Sequence, residues 1–315
     1  MLVTITGCLG FIGSHITRKC LEKGWQVYGI DKCTYAANMD LIPEFSTYDN
    51  FTFIKKDIAT LDYLPDCDYV INTAAESHVG NSIINSDAFI DSNIVGTKNL
   101  LDLIRHKPKN TFKRPIFLHF STDEVYGDIL QGGHSEGDIL KPSNPYSAAK
   151  AGADMLVLAW ARTYDINYLI VRPTNNYGKY QYPEKLIPLC VKALQCKQKI
   201  KLHDKGEPYR CWLHAKDTAR AVITLIESEV QDEIYNISGG FEQPNKETVR
   251  QIIESFHGDS VDWIKYIDLS YTREGQDLRY WVDDSKIREL GWSPQATFSE
   301  EIKEIVEFYK ENFRW

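Results

Sequence analysis

Short apolar runs alternate with amphipathic stretches through the first half of the chain. LVTITG, QVYGID, FTFIKKD, DYVINTAA, PIFLHFST and NYLIVRP are rich in Val, Ile and aromatic residues, the composition of strands. Most are separated by segments of helical periodicity, such as FIGSHITRKCLEKG, which ends on a C-cap glycine, Gly24. Near-continuous apolar strands alternating with helices predict an α/β fold, a doubly wound parallel sheet covered on both faces. After Arg172 the rhythm changes: PTNNYGKYQYPEK is polar, aromatic and turn-rich, and shorter elements follow. EIYNIS, at 233–238, again has the pattern of a buried strand and is expected to rejoin the first sheet. Phe298, Ile302, Ile305, Val306, Tyr309 and Phe313 form one stripe, which predicts a docked final helix. The expected division is a dinucleotide-binding domain over 1–174 and, mainly over 175–315, a smaller α/β domain packed across a cleft.

Composition narrows the classes of function. With 315 residues, 43% hydrophobic and 25% charged, the chain is long enough for a sizeable core. A net charge of −8 without a long basic run argues against nucleic acid or an anionic membrane as partner. The longest apolar stretch in the helix near 155, MLVLAWA, is too short to span a bilayer. Seven scattered cysteines never spaced CxxC read as free thiols, and no histidine pair suggests a metal site. MLVTITG is itself the first strand, so the expectation is a cytoplasmic protein.

Candidate chemistry begins at TGCLGFIG, which sets Gly7, Gly10 and Gly13 between the first strand and the first helix. Glycines there let backbone approach a pyrophosphate, and the helix N-terminus favours its charge. Asp31 ends the second strand, where an acid binds ribose hydroxyls and repels a 2′-phosphate, favouring NAD over NADP. NPYSAAK places Tyr146 and Lys150 at i and i+4 on one helical face. A lysine ammonium lowers the pKa of a neighbouring phenol, so Tyr146 is a candidate base. Alone, such a pair is common on exposed helices; behind a nucleotide-binding turn, and after Thr122, the catalytic reading is the stronger. HFSTDEVYGD puts Asp123 and Glu124 side by side where an apolar strand ends.

Together, TGCLGFIG, YxxxK and STDEVYGD resemble the extended short-chain dehydrogenases/reductases that act on nucleotide sugars. The match is closer to the nucleotide-diphosphoglucose 4,6-dehydratases, through DKCTYAAN, AAESHV, NIVGT, NPYSAAK, NNYGKYQYPEKLIP and YNISGG in that order. It runs from Met1 to the terminal FRW. The resemblance implies a Rossmann fold, NAD, and dTDP-glucose or UDP-glucose as substrate for deoxysugar (for instance rhamnose) synthesis. It also implies a homodimer formed through two helices per subunit. Thr122 would bond the C4 oxygen, Glu124 would take the C5 proton, and Asp123 would protonate the departing C6 hydroxyl. A base must be ionised and an acid protonated, so the two acids need different environments.

The same resemblance implies that Phe11, Ile12, Asp57, Ile58, Ala74, Ser77, Asn93, Thr97 and Asn176 line the NAD site or approach the sugar. Ser77, Asn175, Lys185, Leu186, Lys201, His203, Arg210, Asn245 and Arg273 would bind the sugar nucleotide. Two segments depart from the pattern. SHVGNS stands where the bacterial dTDP-glucose enzymes read SHVDRS, and REGQDLRY where they read RPGHDRRY. NIVGTKNLL and KAGADMLV resemble the dehydratase region of plant rhamnose synthases, so uridine and thymidine nucleotides both stay open. The rivals are a C4 epimerase or decarboxylase on the same scaffold, against which the acid pair argues, and a non-catalytic nucleotide sensor.

Overall fold

The computed structural model describes residues 1–107, 114–272 and 277–312. Seven strands form one parallel sheet: β1 (Leu2–Thr6), β2 (Gln26–Asp31), β3 (Phe51–Lys55), β4 (Tyr69–Asn72), β5 (Ile116–Phe120), β6 (Tyr168–Pro173) and β10 (Glu233–Ile237). Their spatial order is β10-β6-β5-β4-β1-β2-β3. The chain reverses direction across the sheet between β1 and β4, leaving a crevice beyond their C-terminal ends. Every residue of β4 and β5 is buried, which is why these strands read as unbroken apolar runs.

Two apolar layers cover the sheet. One includes Ile16, Cys20 and Leu21 of helix Phe11–Glu22 and Val222, Leu225 and Ile226 of helix Ala215–Glu227. The other includes Leu100, Leu101 and Ile104 of helix Gly96–Arg105 and Val157 of helix Pro145–Tyr164. Thus β10 and the helix before it belong to the unit built on the first sheet, although they follow residue 175.

A second core gathers helices Leu186–Gln195, Asn245–His257 and Phe298–Glu311. Phe298, Ile302, Ile305, Val306 and Tyr309 are all buried in it; Phe313 lies outside the described residues. Against this core lie two small sheets. One joins β7 (Asn175–Tyr177), β9 (Tyr209–His214) and β11 (Phe241–Pro244) in the order β11-β9-β7; the other pairs β8 (Ile200–Lys201) with β12 (Ile267–Asp268). All seven cysteines are free thiols. No described helix is long and apolar enough to cross a membrane.

Candidate active site

The turn after β1 is shaped by glycine. Gly7 has φ +70°, and a side chain there would meet the Ala74 backbone at 2.8 Å. A β-carbon on Gly13 would fall on the Gly7 carbonyl, so the first helix packs flush on the turn. Gly10 is the N-cap of that helix, and no side chain caps it. Free amides thus face a groove lined by Gly7, Gly10, Asp31, Asp57, Ile58 and Ala74. Asp31 is fixed at the groove's end by N–H donors from Leu9 (3.1 Å) and Cys33 (2.8 Å). Asp57 accepts from Ala59 N at 2.9 Å and lies 3.6 Å from the Lys32 ammonium. The groove continues over Phe11, Ile12 and Gly13 to Ser77, Tyr146, Lys150 and Lys185. Bare amides at one end and a ribose-binding acid at the other fit a dinucleotide.

The wall between these ends is the loop after β4. Asn93, on a π-helical turn at Ile90–Val95, accepts from Glu76 N at 3.0 Å and donates to Glu76 O at 3.1 Å. Thr97 accepts from Asn72, which accepts in turn from Thr6. Asn93 and Thr97 are both 1% exposed, and their side chains are engaged in holding this loop. Asn176 likewise accepts from Thr218 at 2.5 Å and donates to Thr174 O, bracing the first turn of the second lobe.

The reacting end is built where β5 stops. Thr122 opens a 3₁₀ turn over Asp123–Tyr126, accepting from Glu124 N at 3.4 Å and donating to Asp123 Oδ1 at 3.2 Å. Asp123 is 3% exposed, and its Oδ2 is buried without a hydrogen-bond partner. Burial, and then the Glu124 charge, push its carboxyl up to about 8 against the opposing pull of Arg210. Glu124 is half-buried beside it. One carboxyl is therefore held as an acid next to a second, more accessible one.

Helix Pro145–Tyr164 delivers Tyr146 and Lys150 to the same place. It starts with a capping box between Asn144 and Ser147, with Pro145 in the first turn. Tyr146 N also donates to Ser82 Oγ at 3.2 Å, tying the helix start to the short helix Val79–Ile84. The surroundings of the pair differ from the sequence expectation in one respect. Burial and the charges of Glu124 and Asp123 push the Tyr146 phenol upward, while Thr122 stabilises its ionised form. Lys150 donates to the Phe120 carbonyl, and burial brings its ammonium down to about 8 against the pull of Asp154.

The second lobe faces this centre. Lys185 donates to Ser77 O at 2.7 Å and precedes helix Leu186–Gln195, whose N-terminus has no side-chain cap. Asn175 Oδ1 and Asn245 Oδ1 are buried without partners. Arg210 stacks 4.8 Å from the Tyr280 ring and donates to Asp277 O at 3.2 Å. Tyr280 and Ser143 both donate to Asp277 Oδ2. Sequence reasoning missed this Ser143–Asp277–Tyr280 tie across the lobes, because Ser143 is distant in the chain from the other two. Lys201 and His203 are exposed, facing Tyr271 at 4.6 Å and 6.4 Å. Arg273 lies outside the described residues. No group of three or more potential metal ligands occurs among the described residues.

Comparison with known proteins gives a consistent family. Residues 4–305 match the model of the GDP-mannose 4,6 dehydratase family. A dTDP-glucose 4,6-dehydratase of Streptomyces niveus is 38% identical, over 100% of this chain and 94% of its own. The crystal structure of DesIV, the dTDP-glucose 4,6-dehydratase of Streptomyces venezuelae with NAD and TYD bound, superposes with a TM-score of 0.92. It is 36% identical and covers 99% of this chain and 98% of its own. A UDP-glucuronic acid 4-epimerase from Bacillus cereus, in complex with UDP-glucuronic acid and NAD, has a TM-score of 0.90 at 25% identity, covering 99% of each chain.

Proposed function

The chain belongs to the GDP-mannose 4,6 dehydratase family, and from that premise we propose that it is an NAD-dependent nucleotide-diphosphoglucose 4,6-dehydratase, a hydro-lyase. The observation that carries this reading is the acid pair at the end of β5. Asp123 is protonated at neutral pH, with one buried oxygen lacking a partner, directly beside Glu124 and next to Thr122. A dehydratase needs an acid for the leaving hydroxyl and a base for the adjacent proton; oxidation or epimerisation at C4 needs neither.

The roles follow from position. Gly7, Gly10 and Gly13 offer backbone to the pyrophosphate of NAD, and Asp31 receives the adenosine ribose. When bound, NAD supplies a hydride acceptor at C4 that can return the hydride to C6. Tyr146 takes the C4 hydroxyl proton, and Thr122 holds the C4 oxygen. The resulting ketone acidifies C5, from which Glu124 removes a proton. Asp123 protonates the departing C6 hydroxyl and is then an anion that burial disfavours, so it regains its proton readily. Lys185, the N–H of Leu186, Arg210, Asn175 and Asn245 would hold the nucleotide diphosphate, and the ammonium, guanidinium and amide donors among them suit it chemically.

The thymidine relatives support dTDP-glucose; uridine is the second base to test. Incubation with dTDP-glucose and UDP-glucose in parallel, followed by mass spectrometry, should show loss of one water from the preferred nucleotide sugar. An unchanged mass with an altered C4 configuration would instead support the epimerase reading.

A homodimer fits this reading, formed through the helical faces at 90–105 and 145–164. Ile90, Val95 and Met155 are 46%, 41% and 47% exposed there. Sedimentation should give twice the mass of one chain, and Met155→Glu should shift the equilibrium toward monomer. The free thiols suit the reducing cytoplasm.

A further inference from the structure

Behind the reacting groups lies a second, buried charge that the proposed steps leave unused. Asp154 is 0% exposed and stands one helical turn beyond Lys150, itself 4% exposed. Its Oδ2 accepts from Ser121 Oγ and Arg172 Nε, each at 3.0 Å, and Arg172 Nη2 also lies 3.0 Å away. All three donors crowd one oxygen, while Oδ1 has no hydrogen-bond partner. Arg172 is held in turn by Tyr126, whose hydroxyl accepts from Nη1 at 2.7 Å, and by Glu136 O at 3.3 Å. Its guanidinium therefore engages the side of the carboxylate that Oδ2 marks, and Oδ1 is left over.

Consecutive residues at the end of β5 grip both members of the helix pair. Phe120 O accepts from Lys150 Nζ, and Ser121 Oγ donates to Asp154. His119 Nε2, also buried without a partner, lies 3.7 Å from Asp154 Oδ1. Burial, Lys150 and Arg172 hold the His119 ring well below its ordinary pKa, so it carries no charge here. The charged and titratable groups around Lys150 are then accounted for on each side. Tyr146 and Asp154 come from its own helix, and Asp123 and Glu124, from the turn after β5, act on Tyr146. His119 comes from β5 and Arg172 from β6, with Tyr126 behind Arg172.

We propose that Asp154 is a positioning residue for the oxidation at C4: clamped by Ser121 and Arg172, its carboxylate is the counter-charge that keeps Lys150 an ammonium ion beside Tyr146. This rests on the reading of Tyr146 and Lys150 as the oxidising pair. Without Asp154, burial acts on Lys150 with no opposing charge on its own helix, only the Phe120 carbonyl, and the lysine gives up its proton at lower pH. A neutral amine no longer stabilises a phenolate that the neighbouring acids already disfavour.

The test is the pH dependence of the oxidation step, read as a single turnover with dTDP-glucose by the absorbance of the reduced nicotinamide. It is made in an Asp123→Asn/Glu124→Gln background, which removes the ionisation of Asp123 from the profile. Adding Asp154→Asn keeps the side-chain shape. It should move the alkaline limb down by about one unit or more and slow oxidation at pH 8 by about tenfold. The apparent affinity for substrate should change by less than about threefold. Should the stranded Arg172 charge unfold that variant, Asp154→Asn with Arg172→Met relieves it and should still show the downward limb. A folded variant of either kind with the parental limb overturns the proposal. A parental background that oxidises no nucleotide sugar, although wild type turns one over, would instead count against the assigned roles of Asp123 and Glu124. The Asp154 comparison is then made on the alkaline limb of wild-type kcat, with the same two outcomes.

Discussion

Asp123 is the residue whose chemistry depends most on its setting. Its carboxyl is raised to about 8, with burial the larger cause and Glu124 the second. It acts as an acid only while protonated, so water elimination should decline as pH rises through about 8. A profile of product formation that stayed flat to pH 10 would contradict this. The same shift bears on stability. A carboxyl with a raised folded-state value favours the fold below its unfolded value, and that contribution is lost as pH rises toward about 8. Asp123→Asn has no such loss, so its melting temperature should gain on wild type between pH 5 and pH 9 while dehydration fails. Tyr146→Phe keeps the ring but removes the proton acceptor. It should slow oxidation by about 10²–10⁴-fold with cofactor binding retained, checked by single-turnover absorbance and cofactor titration.

At the scale of elements, the site is the meeting of one strand end and one helix start. β5 stops at Phe120 and the next four residues supply Ser121, Thr122, Asp123 and Glu124; helix Pro145–Tyr164 supplies Tyr146 and Lys150. Asn144 fixes where that helix begins, accepting from Ser147 N at 3.0 Å. Asn144→Ala should cost about 1 kcal/mol by denaturant unfolding and lower kcat more than KM, because Tyr146 sits in the first turn. The strands and the glycine turn were legible in the sequence because each is local: apolar runs such as IFLHF, and glycines at a strand–helix junction. The carboxylates were legible for the same reason, being adjacent in the chain. Asp154, Arg172 and His119 were not, since their pairing exists only where β5, β6 and the helix are laid together. The bonds between Asn93 and Glu76 and between Asn72 and Thr97 were equally hidden, since they exist only in the packed loop.

For the whole molecule, contacts across the cleft join the seven-stranded sheet to a second lobe. Lys185 reaches Ser77, and Asp277 receives both Ser143 and Tyr280. Such ties hold the two lobes together across the cleft. The change of rhythm after Arg172 coincides with the end of β6 at Pro173. The return of helix Ala215–Glu227 to the first sheet was hidden, because an amphipathic helix does not state which core it serves. In the proposed cycle, oxidation, loss of water and reduction occur on one substrate molecule without release. This is tested most directly by deuterium at C4 of the substrate. The label should appear at C6 of the product within the same molecule, with no crossover between differently labelled substrates and no dilution by unlabelled reduced cofactor in solution. Extensive crossover, or a stoichiometric need for added reduced cofactor, would contradict it.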